Sequence, residues 1–67
     1  MAATTQMGKT STKVNIRELA DSESRILETV EADYTFEILE ILDSGWVKIV
    51  YGDGIGYISS SYVILTN

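Results

Sequence analysis

A small single domain whose second half is built of β-strands is what the residues of this sequence predict, and three observations carry that prediction. Much of the second half alternates apolar and polar residues with period 2. Two short glycine-containing turns separate the alternating runs. The chain has 67 residues, 45% of them hydrophobic and 22% charged, an ordinary globular balance for one domain.

Taken in order, residues 1–12 (MAATTQMGKTST) hold five Ser or Thr and no apolar periodicity. Such a stretch offers too little burial to offset its ordering entropy, so a flexible linker or appended tail is expected there. The folded domain is expected over 13–67. Its first part reads two ways. Asn15-Ile16-Arg17-Glu18 has the form of a capping box, and Leu19, Glu23, Ile26, Leu27 and Val30 suit one helical face, which predicts a helix over 16–30. The rival is a strand at 14–17, a polar loop at 18–25 and a strand at 26–30.

The second half is plainer. Thr35-Phe36-Glu37-Ile38 alternates as a half-buried strand does, then slips parity at Leu39, which a bulge or bend would absorb. Asp43-Ser44-Gly45 is a turn. Trp46 to Tyr51 follows as a strand, with Val47, Ile49 and Tyr51 on one face and Trp46, Lys48 and Val50 on the other. Gly52-Asp53-Gly54 makes a tight hairpin into Ile55-Gly56-Tyr57-Ile58. Ser59-Ser60-Ser61 interrupts that strand, and Tyr62-Val63-Ile64-Leu65 closes the domain. A three-strand meander and a short final strand are the minimum.

Composition then excludes whole classes of function. There is no Cys, His or Pro, which removes zinc sites of the Cys/His kind, Ser-His-Asp and Cys-His catalysis, and disulfides. Ten acids against five basic residues give a net charge of −5. Nucleic acid and anionic membranes would be repelled, and the acidity suits a solvated surface or a neutral or cationic partner. No apolar run approaches the ~18 residues of a membrane span, and no signal-peptide pattern opens the chain. No cofactor or metal is expected: Asp21-Ser22-Glu23 and Gly52-Asp53-Gly54 fall short of a calcium-loop ligand set. Carboxylate-pair glycoside hydrolysis needs a deep cleft that so small a domain does not offer. The chain is expected not to be an enzyme.

The order Val14-Asn15-Ile16-Arg17, Ile26-Leu27-Glu28-Thr29-Val30, Phe36-Glu37-Ile38-Leu39, Gly45-Trp46-Val47-Lys48-Ile49 and Gly56-Tyr57-Ile58-Ser59-Ser60-Ser61-Tyr62-Val63 resembles the bacterial SH3 (SH3b) family from about residue 13 to 64. The resemblance implies an all-β fold, a small SH3-like barrel of five to seven short strands, and replaces the helix at 16–30 by strands. Two departures stand out. Glu18-Leu19-Ala20 occupies the place of a usual Ser-Gly-Pro, and Asp33-Tyr34 stands where a turn glycine is usual. The 18–25 loop is therefore not preset by Gly and Pro.

Six residues are candidates for ligand binding: Trp46, Tyr62, Tyr34, Asp21, Glu23 and Ser59. Trp46 offers a rigid aromatic wall on a partly wet face, or else caps the barrel edge. Tyr62 matches the ligand-face tyrosine of the closing segment in SH3-like barrels. Tyr57 shares parity with Ile55 and is expected in the core, while Tyr34 and Tyr51 flank turns. Asp21, Glu23 and Glu18 lie in the equivalent of the SH3 RT loop, as solvated charges or as partners for a ligand cation.

The resemblance implies a non-catalytic module that targets a parent bacterial protein, such as a peptidoglycan hydrolase, to cell-wall peptides. The groove would be lined by Trp46 and Tyr62 and flanked by the 18–25 loop and the 43–45 turn. Peptidoglycan peptide or another peptide segment is the expected partner, with a monomeric domain and a secreted or wall-associated location. The alternative is a protein–protein or intramolecular module that packs on a catalytic domain of the same parent chain, without wall affinity. Proline-rich ligands are disfavoured, because a serine occupies the position of the groove proline.

Overall fold

The computed structural model describes residues 6–66. Seven strands form one antiparallel sheet in the order β3-β2-β6-β5-β4-β1-β7. They are β1 (Gln6–Thr10), β2 (Val14–Arg17), β3 (Ile26–Val30), β4 (Thr35–Ile41), β5 (Trp46–Tyr51), β6 (Gly54–Ser59) and β7 (Val63–Leu65). A single 3-10 turn, Ser60–Tyr62, separates β6 from β7, and there is no α-helix among the described residues.

The sheet curls around one core. Val14 and Ile16 of β2, Val30 of β3, Phe36 and Ile38 of β4, Val47 and Ile49 of β5 and Ile58 of β6 form a single buried cluster. Five neighbouring strands whose inner faces meet at one cluster must wrap round it, which makes the sheet a small barrel. Two bulges assist the curl. Leu39 is the extra residue where Ile38 pairs Ile49 and Glu40 pairs Lys48, at the position where the sequence alternation slips. Leu27 is the extra residue between Ile16↔Glu28 and Arg17↔Ile26.

The strand alternative for the first half is the observed one, with β2 and β3 ending where the sequence pattern places them. The helix over 16–30 does not form. The residues of its apolar stripe part company in the fold, with Val30 in the core and Leu27 packed against it, while Leu19 is 58% exposed and Ile26 is 46% exposed. The period-2 pair Val14 and Ile16 enters the core instead. Asn15, which resembles a helix cap, sits mid-strand and accepts a 2.6 Å bond from Thr29 Oγ1 across the β2–β3 ladder.

The expectation of a linker or tail over 1–12 is corrected for residues 6–10; residues 1–5 lie outside the described residues. Gln6–Thr10 is a strand between β4 and β7. Its inward positions are Gly8 and Thr10, both buried, so no apolar alternation marks it. Gly8 is required for space: a Cβ there would lie 3.0 Å from Ile38 Cδ1 and 3.1 Å from Phe36 Cε1. Thr10 is wholly buried yet fully paired. Its Oγ1 donates to Glu31 O (2.8 Å) and accepts from Tyr34 N–H (3.1 Å). Its backbone exchanges bonds with Tyr34 O and Asp33 N–H.

The remaining turns are made by specific chemistry. Gly52 (φ 57°) opens the two-residue β5–β6 turn, where a positive φ at the first central position matches the twist of the strands. At the turn before β4, where the related pattern carries glycine, Asp33 itself adopts φ 66° and pairs with Lys9 Nζ at 3.5 Å.

Candidate functional site

The outer face of β2, β6 and β5 carries the site. Across these strands Arg17 stands opposite Tyr57, and Tyr57 opposite Lys48. In the next row Trp46 stands opposite Ser59. Side chains directly opposite each other share a face, so this surface is a patchwork of rings, cations and hydroxyls. The core-facing positions of the same strands include Val14, Ile16, Val47, Ile49 and Ile58.

A cleft of about 350 Å³ opens on this face. One wall is Trp46, with Ser59 beside it and Tyr62 from the 3-10 turn. The rest of the lining comes from β2, through Val14, Asn15 and Arg17, and is completed by Ser22 of the following loop. Trp46 is held by the chain on both sides. Its carbonyl accepts from Leu42 N–H at 2.8 Å, and Gly45 O accepts from Ser60 N–H at 2.9 Å. That second bond fastens the 43–45 turn to the segment that presents Tyr62, which is 45% exposed.

The 18–25 loop has a defined shape although it lacks Gly and Pro. Ser24 Oγ accepts from Leu19 N–H (3.2 Å) and shares its proton between the carbonyls of Leu19 and Asp21. Asp21 Oδ1 accepts from Glu23 N–H at 2.9 Å, an Asx-type turn. Arg17 Nη1 donates to Ser24 O at 2.8 Å, so the guanidinium supports the loop from below. This network presents Ser22 to the cleft.

Of the six candidate residues, the structure brings together Trp46, Tyr62 and Ser59. Tyr34 lies elsewhere, half-buried against the core with its ring 6.2 Å from that of Phe36. Asp21 and Glu23 are exposed on the loop and do not line the cleft. The expectation that Tyr57 is a core residue is corrected. Its parity partner Ile55 is itself 45% exposed, and the inward positions of β6 go to Gly56 and Ile58. Tyr57 therefore joins the outer face between Arg17 and Lys48.

Sequence reasoning overlooked Val14, Asn15, Arg17 and Ser22 as cleft residues. A usable signal was present, since outward positions of β2 must share a face with the outward positions of β5 and β6 once the strands are neighbours. Lys9 and Lys13 each approach a carboxylate, Asp33 at 3.5 Å and Glu31 at 4.0 Å. Arg17 has no carboxylate within ion-pair distance among the described residues, and no acidic side chain lines the cleft. No group of three or more His, Cys, Asp or Glu side chains that could hold a metal occurs among the described residues.

A family model described as bacterial SH3 domain matches residues 12–64. No curated protein matches the chain.

Proposed function

Because this chain belongs to the bacterial SH3 domain family, we propose that it is a non-catalytic binding module that targets its parent protein to cell-wall peptides through the Trp46–Tyr62 cleft. The observation that carries this reading is the cleft itself. It sets two aromatic rings beside Asn15, Ser22 and Ser59, which suits a peptide held by ring contact and by hydrogen bonds along its backbone. A shallow site of this size gives modest affinity. Tethering to a parent protein raises the effective concentration enough for that to serve.

The molecule's net charge of −5 sets a condition on the target. Anionic wall polymers would repel the domain, so the peptide stem is the part recognised. Co-sedimentation with purified peptidoglycan sacculi, stripped and unstripped of anionic polymers, tests this. Binding is expected to both preparations and to be lost in Trp46→Ala. Loss of binding on stripping the polymers would overturn the peptide target, and absence of binding to either preparation would overturn wall targeting.

One observation favours the alternative reading as a protein-docking module. Val50 and Ile55 stand directly opposite each other across β5–β6 and are both exposed, a small apolar patch at the far end of these strands from Trp46. A domain that ignores sacculi and loses association with its parent's catalytic domain on Ile55→Ser would have that role.

A further inference from the structure

Charge is distributed unevenly in this acidic molecule. β2, β5, β6 and the 3-10 turn contain no Asp or Glu, although the chain has ten. The same segments supply two cations, Arg17 and Lys48, to either side of Tyr57 on the outer face. Arg17 lines the cleft and spends one guanidinium N–H on Ser24 O. Guanidinium has five such donors in a planar fork that fits a carboxylate. With no carboxylate of the described residues in ion-pair reach, the cleft presents a cation already oriented by its bond to the loop.

We infer that the cleft binds the free C-terminal carboxylate of a short peptide, with Arg17 on the carboxylate and Trp46 and Tyr62 against the last residues. The inference rests on the peptide-binding reading above and adds which end of the peptide is held. It also reverses the expectation that the acidic loop would grip a ligand cation, since Asp21 and Glu23 are exposed and do not line the cleft. The net charge narrows the ligand further. A polyanion is repelled by the whole molecule, whereas a single terminal carboxylate on an otherwise neutral chain meets mainly the local field of Arg17.

The test uses tri-alanine, tri-alanine amide and inorganic phosphate as probes, read by Trp46 fluorescence and by NMR signals of the backbone and of the Arg17 side chain. Tri-alanine is expected to shift the Trp46 and Arg17 signals saturably. The amide should bind roughly tenfold or more weakly, as loss of charge-assisted hydrogen bonds implies. Phosphate at equal concentration should not displace the peptide. Arg17→Gln should remove the difference between acid and amide, and Arg17→Lys, which keeps the charge but not the fork, should restore only part of it. Should Arg17→Gln disturb the fold, seen in the same spectra, Arg17→Lys and the amide comparison decide alone.

Equal binding of acid and amide, displacement by phosphate, or no response to tri-alanine at millimolar concentration would each overturn the assignment. Sacculus binding that Trp46→Ala removes and Arg17→Gln leaves intact would overturn it while sparing the wall-targeting reading. Acid-selective tripeptide binding without sacculus binding would do the reverse.

Discussion

Gly56 leaves less room for a Cβ than any other glycine among the described residues, and replacing it with alanine tests the packing directly. A Cβ at this position would lie 2.5 Å from Ile16 Cγ2 and 3.3 Å from Tyr51 Cβ. Carbon atoms prefer about 3.5–4.0 Å, so Ile16 would have to retreat by about 1 Å. Ile16 is 0% exposed within the core cluster and has no solvent side to move toward. Overpacking of this kind costs about 1–3 kcal/mol. The backbone angle at Gly56 suits alanine, so the smaller unfolded-state entropy returns about 0.4–1 kcal/mol. A net loss of about 1–2 kcal/mol is expected. A 67-residue chain has about 3–10 kcal/mol in total on per-residue norms.

Urea unfolding followed by Trp46 fluorescence would show the midpoint falling by about 1 M with unchanged slope. The decisive variant is the double substitution. Ile16→Leu removes the Cγ2 branch that crowds Gly56, whereas Ile16→Val keeps it. Gly56→Ala should therefore be partly rescued by Ile16→Leu, with a coupling of at least about 0.5 kcal/mol, and not by Ile16→Val. Additive energies in both double variants would refute the reasoning.

Other substitutions probe separate features. Thr10→Val should cost about 1–3 kcal/mol, because Tyr34 N–H and Glu31 O lose a buried partner; an unchanged urea midpoint would show that water replaces the hydroxyl. Asp33→Gly should raise the melting temperature by a few degrees, since the left-handed conformation strains a residue with a Cβ and the exposed pair with Lys9 contributes only about 0–1 kcal/mol. Asp33→Val should lower it, and a rise would contradict the strain. Tyr51 OH donates to Glu28 Oε1 at 2.6 Å. This bond, then desolvation and the charges of Glu28 and Tyr34, raises the phenol's pKa above its ordinary value. The raised value favours the neutral phenol in the folded chain. Its contribution to stability is complete below the ordinary tyrosine pKa of about 10 and is lost as pH rises through the folded value. Ultraviolet titration should show one of the four tyrosines ionising late, and Tyr51→Phe should remove that step. A single unresolved tyrosine transition would argue against the bond.

The parts of the fold that sequence makes legible are those with side-chain contrast. Val14–Arg17 and Ile26–Val30 alternate or carry β-branched residues, and the parity slip at Leu39 marks its bulge. β1 escapes because a strand whose inward residues are Gly8 and Thr10 has nothing apolar to alternate with. The cleft was half legible. Trp46, Ser59 and Tyr62 sit in a recognisable aromatic and hydroxyl pattern. Arg17 and Asn15 become site residues only through the β2–β6 pairing, a contact between segments some forty positions apart. Tyr34 and Tyr57 exchange their expected roles: Tyr34 lies in the turn before β4, where strand parity says nothing, and the parity of Tyr57 follows Ile55, an apolar residue that faces solvent.

The placement of β1 has a mechanical consequence. β7 is joined to the sheet through β1 alone among the described residues, with Gly8 opposite Leu65 and Thr10 opposite Val63. These strands are antiparallel, so the two ends of the described chain leave from the same edge of the barrel, with Thr66 N–H bonded to Met7 O. Tension applied between those ends runs along the hydrogen bonds rather than across them, and loads the pairs one after another instead of together. The barrel would open like a zipper from residues 7 and 66, at low force, and release the exposed Leu65 and Ile64 before Val63 leaves the edge of the core.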